Sequence, residues 1–469
     1  MTVQILAVGA GVPSLRLAAA DVHSGWGRKG GRGAVAVCAP DEDTLTLAWS
    51  AADAALQRAG VDAADVDGLW WGTTRPPFAE GPSHAVLSTA VGLRPSAIGA
   101  LVSGSPHCGL DALFAAADAI AAGSARRALV VVSDALRPGL GTSFEARCGS
   151  GAAAILLGAE GGSAVIGSRV TEARPLLDRY RGDVELDTRD LYDGRLFREE
   201  IFLPIVGGVA AALASGTTID EWSLPDPDGR LAGAVAKRVR AATDAVVSGA
   251  VYGALGDTGA AAPLLGAVGA LQPGRTIGVV GYGGGRASGC TITVSAPVPG
   301  AADIADLLAK PGRTVNYPTV LRARTQIAPN GETIPMGVPP ESALFVRGAE
   351  EMLQMLGGRC VDCGTINTPP SIHPHCIACG GPKMEPVELA REGAVHTYVV
   401  NHTMPAPFEA PLPIAVLDLD DGARVMLQVA DDGSNVAIGR RMRLILRRYA
   451  YERGAPVYGF KAMPIEESV

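Results

Sequence analysis

Two short knuckles, Cys360-Val-Asp-Cys363 and Cys376-Ile-Ala-Cys379, stand twelve residues apart, and no other stretch limits so sharply what this chain can fold into. Paired knuckles bring four soft ligands within tetrahedral reach of one zinc ion, and the metal then replaces a hydrophobic core too small to fold alone. The spacing predicts a zinc ribbon held by Cys360, Cys363, Cys376 and Cys379; the competing readings are a redox pair or a ribbon that has lost its metal. His373 and His375 lie between the knuckles and read as loop residues, because four thiolates already fill a structural site. The other four cysteines, Cys38, Cys108, Cys148 and Cys290, are scattered. Met1–Val8 lacks a basic leader and reads as a first strand, so the free thiols point to a reducing cytoplasm.

Upstream of the ribbon, residues 1 to about 300 alternate short Val/Ile/Leu/Ala runs with longer helical patterns, the mark of α/β layering. Asp41 to Gly60 reads as a helix with Asp41 or Asp43 as cap and Gly60 as stop, followed by a strand over Gly68–Gly72 and a helix from about Pro82 to Leu93. Ala128–Asp134 with Gly151–Gly158, and Thr276–Gly281 with Gly289–Val294, form two strand pairs. Each is preceded by an Ala/Gly-rich helix, which makes a weak internal echo. Arg174 to Glu200 is strongly charged and is either a surface excursion or a lid. With 60 Gly, 5% aromatic residues and a net charge of -8, the chain suits a compact α/β enzyme and argues against nucleic acid as its main ligand. No apolar run reaches the roughly 18 to 20 residues of a membrane span.

Downstream of the ribbon, Val395–Val400, Ile414–Leu419, Val425–Val429 and Met442–Leu446 are short strands separated by Gly/Asp turns, which predicts a small barrel. The domains expected are 1–300, a connector over 301–346, a ribbon over 347–392 and a barrel over 393–469. The basic run Arg440, Arg441, Arg443, Arg447 and Arg448 reads as a solvated strand, with phosphate contact as the alternative.

The stretch Ser103-Gly-Ser-Pro106-His107-Cys108-Gly109-Leu-Asp-Ala112-Leu113 opens an Ala-rich helix ahead of the buried strand Ala128–Asp134. A side chain at such a helix start gains from unpaired N–H groups and the helix dipole. Gly109 to Asp134 is similar to thiolase-superfamily condensing enzymes, nearest to hydroxymethylglutaryl-CoA synthases and type III ketoacyl-ACP synthases. The resemblance implies a duplicated αβαβα sandwich, an acyl-CoA substrate with coenzyme A as part of it, and a homodimer, with a further thiolase-like chain as a possible partner. Residues from about Arg347 to Pro464, with Pro369-Pro370 and the ending Tyr458-Gly-Phe-Lys461, resemble the zinc-ribbon/OB-fold domain that accompanies such proteins.

On that pattern the chain departs at each chemical position. Pro106 stands where the nucleophilic cysteine belongs, Thr74 where hydroxymethylglutaryl-CoA synthases carry a general-base Glu, Pro225 in place of the catalytic His with Asp226 beside it, and Asp257 in place of an Asn. Independently of any alignment, there is no histidine between His107 and His373. Gly281-Tyr282-Gly283-Gly284-Gly285 matches the Gly-rich loop beneath the acyl pocket, and as a dinucleotide fingerprint it is poor.

Three readings follow. An aldol or retro-aldol enzyme would act on acyl-CoA without an acyl-enzyme, with His107, Asp226, Asp257 and Tyr282 as acid-base candidates and Gly283–Gly285 against the ligand. An acyltransferase or synthase would use Cys108 in a shifted elbow. A non-catalytic chain would scaffold an active partner. The bland alternatives are a packed Cys108, a packed Tyr282, and Asp226 or Asp257 as helix caps.

Overall fold

The computed structural model describes residues 2–190, 193–241, 245–327, 342–403, 411–430, 436–452 and 455–465. The chain forms two compact units, Met1–Ile327 and Ala328–Val469.

In the first unit a nine-stranded sheet is built from β1 (Gln4–Gly11), β2 (Gly68–Gly72), β3 (Ile98–Val102), β4 (Arg127–Ala135), β5 (Ser150–Gly158), β6 (Ala164–Ala173), β7 (Glu221–Ser223), β8 (Thr276–Gly283) and β9 (Arg286–Val294). Their order is β7-β8-β9-β6-β1-β5-β4-β2-β3. The sequence halves meet between β1 and β6, where only Gln4 and Ile5 pair with Val165 and Ala164. Both expected strand pairs, β4 with β5 and β8 with β9, are antiparallel neighbours. The helices that precede them are α2 (Cys108–Ala121) and α4 (Ala262–Gly269).

Those two helices touch strands of both halves: α2 packs on β4, β2 and β8, and α4 on β5, β1, β8 and β7. The outer faces carry α1 (Thr44–Ala59) on β1, β5 and β4, and α3 (Leu203–Ala214) on β9, β6 and β8. Helix, half-sheet, paired helices, half-sheet, helix make the five layers expected. The core between them gathers Leu110, Leu113, Ile120, Leu264, Val130, Ile155 and Ile277, nearly all without exposure. The small-residue composition has a direct cause here. A Cβ on Gly9 would lie 2.3 Å from the Ala51 carbonyl oxygen, so α1 lies against the bare backbone of β1.

Helix α1 forms as its sequence requires. The Asp43 Oδ1 accepts the N–H groups of Leu45 and Thr46 at 3.0 Å each, while Thr46 Oγ1 accepts the Asp43 N–H at 2.8 Å, and Gly60 ends the helix at φ 61°.

The stretch expected to be a connector from residue 301 is folded as far as 327. Ala301–Ala309 is a helix, Arg313–Val315 pairs in parallel with Leu15–Leu17, and Tyr317–Ala323 is a second helix. Tyr317, Val320 and Leu321 are buried against Leu15, Leu17 and Val35, an apolar set too short and too interrupted by Pro and Arg to stand out in the sequence. Residues 328–341 of the expected connector lie outside the described residues.

In the second unit, Leu356–Cys360 pairs with Ile366–Asn367 on one side and Met384–Glu388 on the other, forming the ribbon sheet. The barrel strands run Arg424–Gln428, Leu412–Leu419, Glu392–Asn401, Arg441–Glu452 and Ala455–Pro464, antiparallel throughout. Val429 bridges Ala462 and the Ala430 N–H donates to the Ala462 carbonyl at 2.8 Å, so the last strand returns to the first and closes the sheet. Among the described residues, no helix is long and apolar enough to cross a membrane.

Candidate functional site

Helix α2 opens without a side-chain cap, because its first residue follows Pro106 and His107 in a tight turn that carries the Cys108 N–H to the Ser105 carbonyl, 2.9 Å away. His107 is buried and its Nδ1 lies 2.8 Å from Asp111, whose other oxygen meets Arg286 at 3.2 Å. A carboxylate only accepts, so Nδ1 donates to Asp111, and Nε2 is buried without a hydrogen-bond partner among the described residues. Cys108 is 2% exposed, and burial, followed by the charges of Asp134 and Asp111, pushes its thiol well up. A thiol so placed is a poor source of thiolate.

In front of this helix start is a cavity of about 130 Å³, against roughly 10–15 Å³ needed for one water. Of the four positions where the resemblance expects another residue, Pro106, Pro225 and Asp257 line it and Thr74 does not; Asp226, Tyr282, Gly283 and Gly284 line it too. Neither a cysteine nor a histidine is among the described residues lining it, so His107 and Cys108 stand behind its wall. Gly283 is required: a Cβ there would sit 2.7 Å from Pro106 Cδ and 2.8 Å from the His107 nitrogen. Gly284 and Gly285, at φ 58° and 73°, form the two-residue turn between the paired Gly283 and Arg286.

Several polar groups of the cavity are already engaged. Arg179 donates to Asp257 at 2.8 Å and to Asp190 at 3.1 Å. Asp257 also accepts the Gly259 N–H at 2.9 Å. The Tyr282 hydroxyl donates to Asp178, and burial together with that carboxylate raises the phenol well above its usual range. Asp226 accepts the Leu231 and Ala232 N–H groups at 3.1 and 3.4 Å, at the start of the helix Leu231–Arg238, yet burial pushes its carboxyl up to about 6. A second cleft of about 560 Å³, bordered by Arg198, Arg230 and Lys237, shares Asp226 with the first.

Thr74 is turned elsewhere. Its N–H and hydroxyl both donate to Asp134 at 2.8 Å, as does the Thr73 hydroxyl at 3.1 Å; the other Asp134 oxygen takes the Ala260 N–H at 2.8 Å. Asp134 is fully buried, and desolvation outweighs these donors and holds its carboxyl at about 6.

Sequence reasoning singles out none of Asp178, Arg179, Asp190 and Phe197, all of which line the cavity. They come from the charged excursion Arg174–Glu200, so the segment that reads as either surface or lid contributes cavity wall. The only signal in the sequence is its density of charge.

In the ribbon, the four cysteine sulfurs lie within 4.8 Å of one another, with Cys360–Cys379 and Cys363–Cys376 at 3.6 Å. Tetrahedral zinc with Zn–S bonds of about 2.3 Å sets sulfurs about 3.8 Å apart, so the donor set fits. Backbone N–H groups of Cys379 and Ala378 bring the Cys376 thiol down to about 6. His375 is exposed and His373 half-buried; neither belongs to the cluster. Arg441, within the basic run, is taken up by Asp420 and Glu392.

Comparison with known proteins agrees with both units. A family profile described as "ChsH2, C-terminal OB-fold domain" matches residues 386–447. A DUF35 domain-containing scaffold protein of Methanocaldococcus jannaschii is 36% identical over 126 residues, 26% of this chain and 88% of that protein. A hydroxymethylglutaryl-CoA synthase of Methanosphaera stadtmanae is 26% identical over 299 residues, 61% of this chain and 86% of its own length. The chain joins a hydroxymethylglutaryl-CoA synthase-like thiolase-fold region to a DUF35/OB-fold domain. Among solved structures, a hydroxymethylglutaryl-CoA synthase complexed with CoA shares the fold at TM-score 0.61 and 17% identity, over 71% of this chain and 93% of its own. A 3-oxoacyl-(acyl carrier protein) synthase III from Pseudomonas aeruginosa PAO1 does so at 0.54 and 21%, over 64% and 99%. The thiolase-like region therefore keeps the fold of these proteins.

Proposed function

We propose that the thiolase-like region binds an acyl-CoA in the cavity and makes or breaks a carbon–carbon bond beside the thioester without an acyl-enzyme. The observation that supports this best is the make-up of the wall: carboxylates, a phenol and arginines face the space, with no thiol or imidazole among the described residues. In the cleavage direction Asp226 takes the proton of a β-hydroxyl group. The O–H electrons become the new C=O bond, the Cα–Cβ pair passes to the thioester as an enolate, and Cα regains a proton from the same acid. The products are a ketone or aldehyde and a shorter acyl-CoA. The Tyr282–Asp178 and Arg179–Asp257 pairs hold the surrounding charges in place.

Incubation with acetyl-CoA and longer acyl-CoAs, read by intact mass, is expected to leave the chain unmodified. A stable adduct on Cys108 would instead make it the acyltransferase of the second reading, against its burial. The scaffold reading is favoured by the M. jannaschii relative's description and by the engaged state of Asp257; CoA binding with no turnover of any β-hydroxyacyl-CoA would support it.

For the second unit we propose one structural zinc on Cys360, Cys363, Cys376 and Cys379, which would tie the two knuckles together. Purified chain is expected to carry about one zinc per molecule, and chelation to release it with loss of amide-exchange protection in Leu356–Glu388. Full protection in metal-free chain would refute the assignment.

We also propose that the first unit forms a homodimer through β3. It is the edge of the sheet, and its run Ile-Gly-Ala-Leu-Val exposes Ile98, Gly99 and Ala100. An apolar open edge is a template for pairing with a second copy. Light scattering is expected to give a dimer for the wild type and a shift to monomer for Ala100→Arg; a monomeric wild type would rule this out. A further thiolase-like chain as partner stays a proposal of the resemblance alone, as does the cytoplasm as its site of action.

A further inference from the structure

Phe197 begins a π-turn, Phe197–Phe202, in which each hydrogen bond spans five residues. On an ordinary α-helix, residues five apart point about 140° away from each other, at 100° per residue. The wider turn brings them to a common face: the Phe197 and Phe202 ring centroids are 5.6 Å apart, and both rings stand edge-on to Tyr282, at 6.1 and 5.3 Å. Phe202 and Tyr282 are buried, whereas Phe197 is half-buried and its neighbours Arg195, Leu196, Arg198 and Glu199 are exposed. Phe197 reaches past the excursion to pack on the buried cluster that holds Phe202, Ile205 and Tyr282. All three rings also line the cavity.

We infer that Phe197 is the stop that sets how long an acyl chain the cavity accepts, and that the substrate carries an apolar acyl group ending against Phe197, Phe202 and Tyr282. The inference rests on the acyl-CoA reading and adds to it a substrate class and a specificity-determining residue. It uses an aromatic wall supplied by the charged excursion, separate from the carboxylates assigned to the chemistry.

The test is a binding series rather than a rate, so it does not depend on turnover. Straight-chain saturated acyl-CoAs and free CoA are titrated calorimetrically into the full-length wild type, Phe197→Ala and Phe197→Trp. Each methylene buried in an apolar wall tightens binding about fourfold. The wild-type series is expected to tighten at that rate and then stop at one chain length. Phe197→Ala carries the stop further by several carbons, Phe197→Trp brings it earlier, and free CoA binds all three proteins alike. A stop at the same chain length in all three proteins, with CoA binding intact, overturns the role of Phe197 and leaves the acyl-CoA reading standing. Failure of the wild type to bind CoA or any acyl-CoA sinks both.

Discussion

Asp226→Asn is expected to lower β-hydroxyacyl-CoA cleavage by about 10²–10⁴-fold, the range for loss of a general base, with KM changed only a few-fold. The fold should survive, because the amide oxygen can still accept the Leu231 and Ala232 N–H groups. The wild-type kcat/KM is expected to rise through about pH 6 and level off above it, since the base must be ionised and burial holds its carboxyl at about 6. The variant should lose that limb. A cap with no chemical role would leave both rate and profile unchanged, and that result would retire Asp226 as the base.

Stability should follow the opposite course with pH. A carboxyl held at about 6 in the folded chain against 3.8 when free binds its proton more tightly in the folded state. Its contribution is therefore greatest below pH 4 and declines as pH rises from about 4 to 6. Activity gains in the window in which this group costs stability.

The second large effect is expected at Asp134, which ties the Thr73–Thr74 turn to Ala260 beside the cavity. Asp134→Asn keeps an oxygen for the threonines but turns an NH₂ group toward the Ala260 N–H or, flipped, toward the three threonine donors. Either way the amide's NH₂ faces a backbone N–H, of Ala260 or of Thr74, at a cost of about 1–3 kcal/mol, read as a lower urea midpoint at pH 5, where the wild-type carboxyl is mostly protonated. Asp134 itself is held at about 6, so its own contribution should fall by roughly 3 kcal/mol as pH rises from about 4 to 6, alongside that of Asp226, and Asp134→Asn should lose only Asp134's share of the slope. A variant as stable as wild type at pH 5 would show that these hydrogen bonds do little for the fold.

Much of the architecture can be read along the chain because it is encoded by neighbours. Asp43, Thr46 and Gly60 are enough to bound α1, since caps act within one turn. Alternation along Leu412–Leu419, with Leu412, Ala415, Leu417 and Leu419 buried, announces a barrel strand. Knuckle spacing suffices to bring four sulfurs together, because each Cys-x-x-Cys turn is local and the ribbon strands supply only the final approach. The absence of histidine between His107 and His373 is likewise a property of sequence alone.

The site is different in kind. Asp178, Arg179 and Phe197 lie on an excursion with no apolar period, and nothing local shows that they turn inward; their partners Tyr282 and Asp257 are 104 and 78 residues away. Cys108 and Pro106 are two residues apart, and only the path of the backbone into α2 decides that the imino ring meets the cavity while the thiol faces the core. Whether Asp226 and Asp257 stand free or engaged was also beyond the linear pattern. The sequence by itself determined most of the elements, the ribbon's cysteine spacing and the stretch without histidine from His107 to His373, because these depend on residue type and short spacing. The tertiary structure alone decided which charges meet and which ring closes the cavity, because those depend on distances between segments that the chain brings together only when it folds.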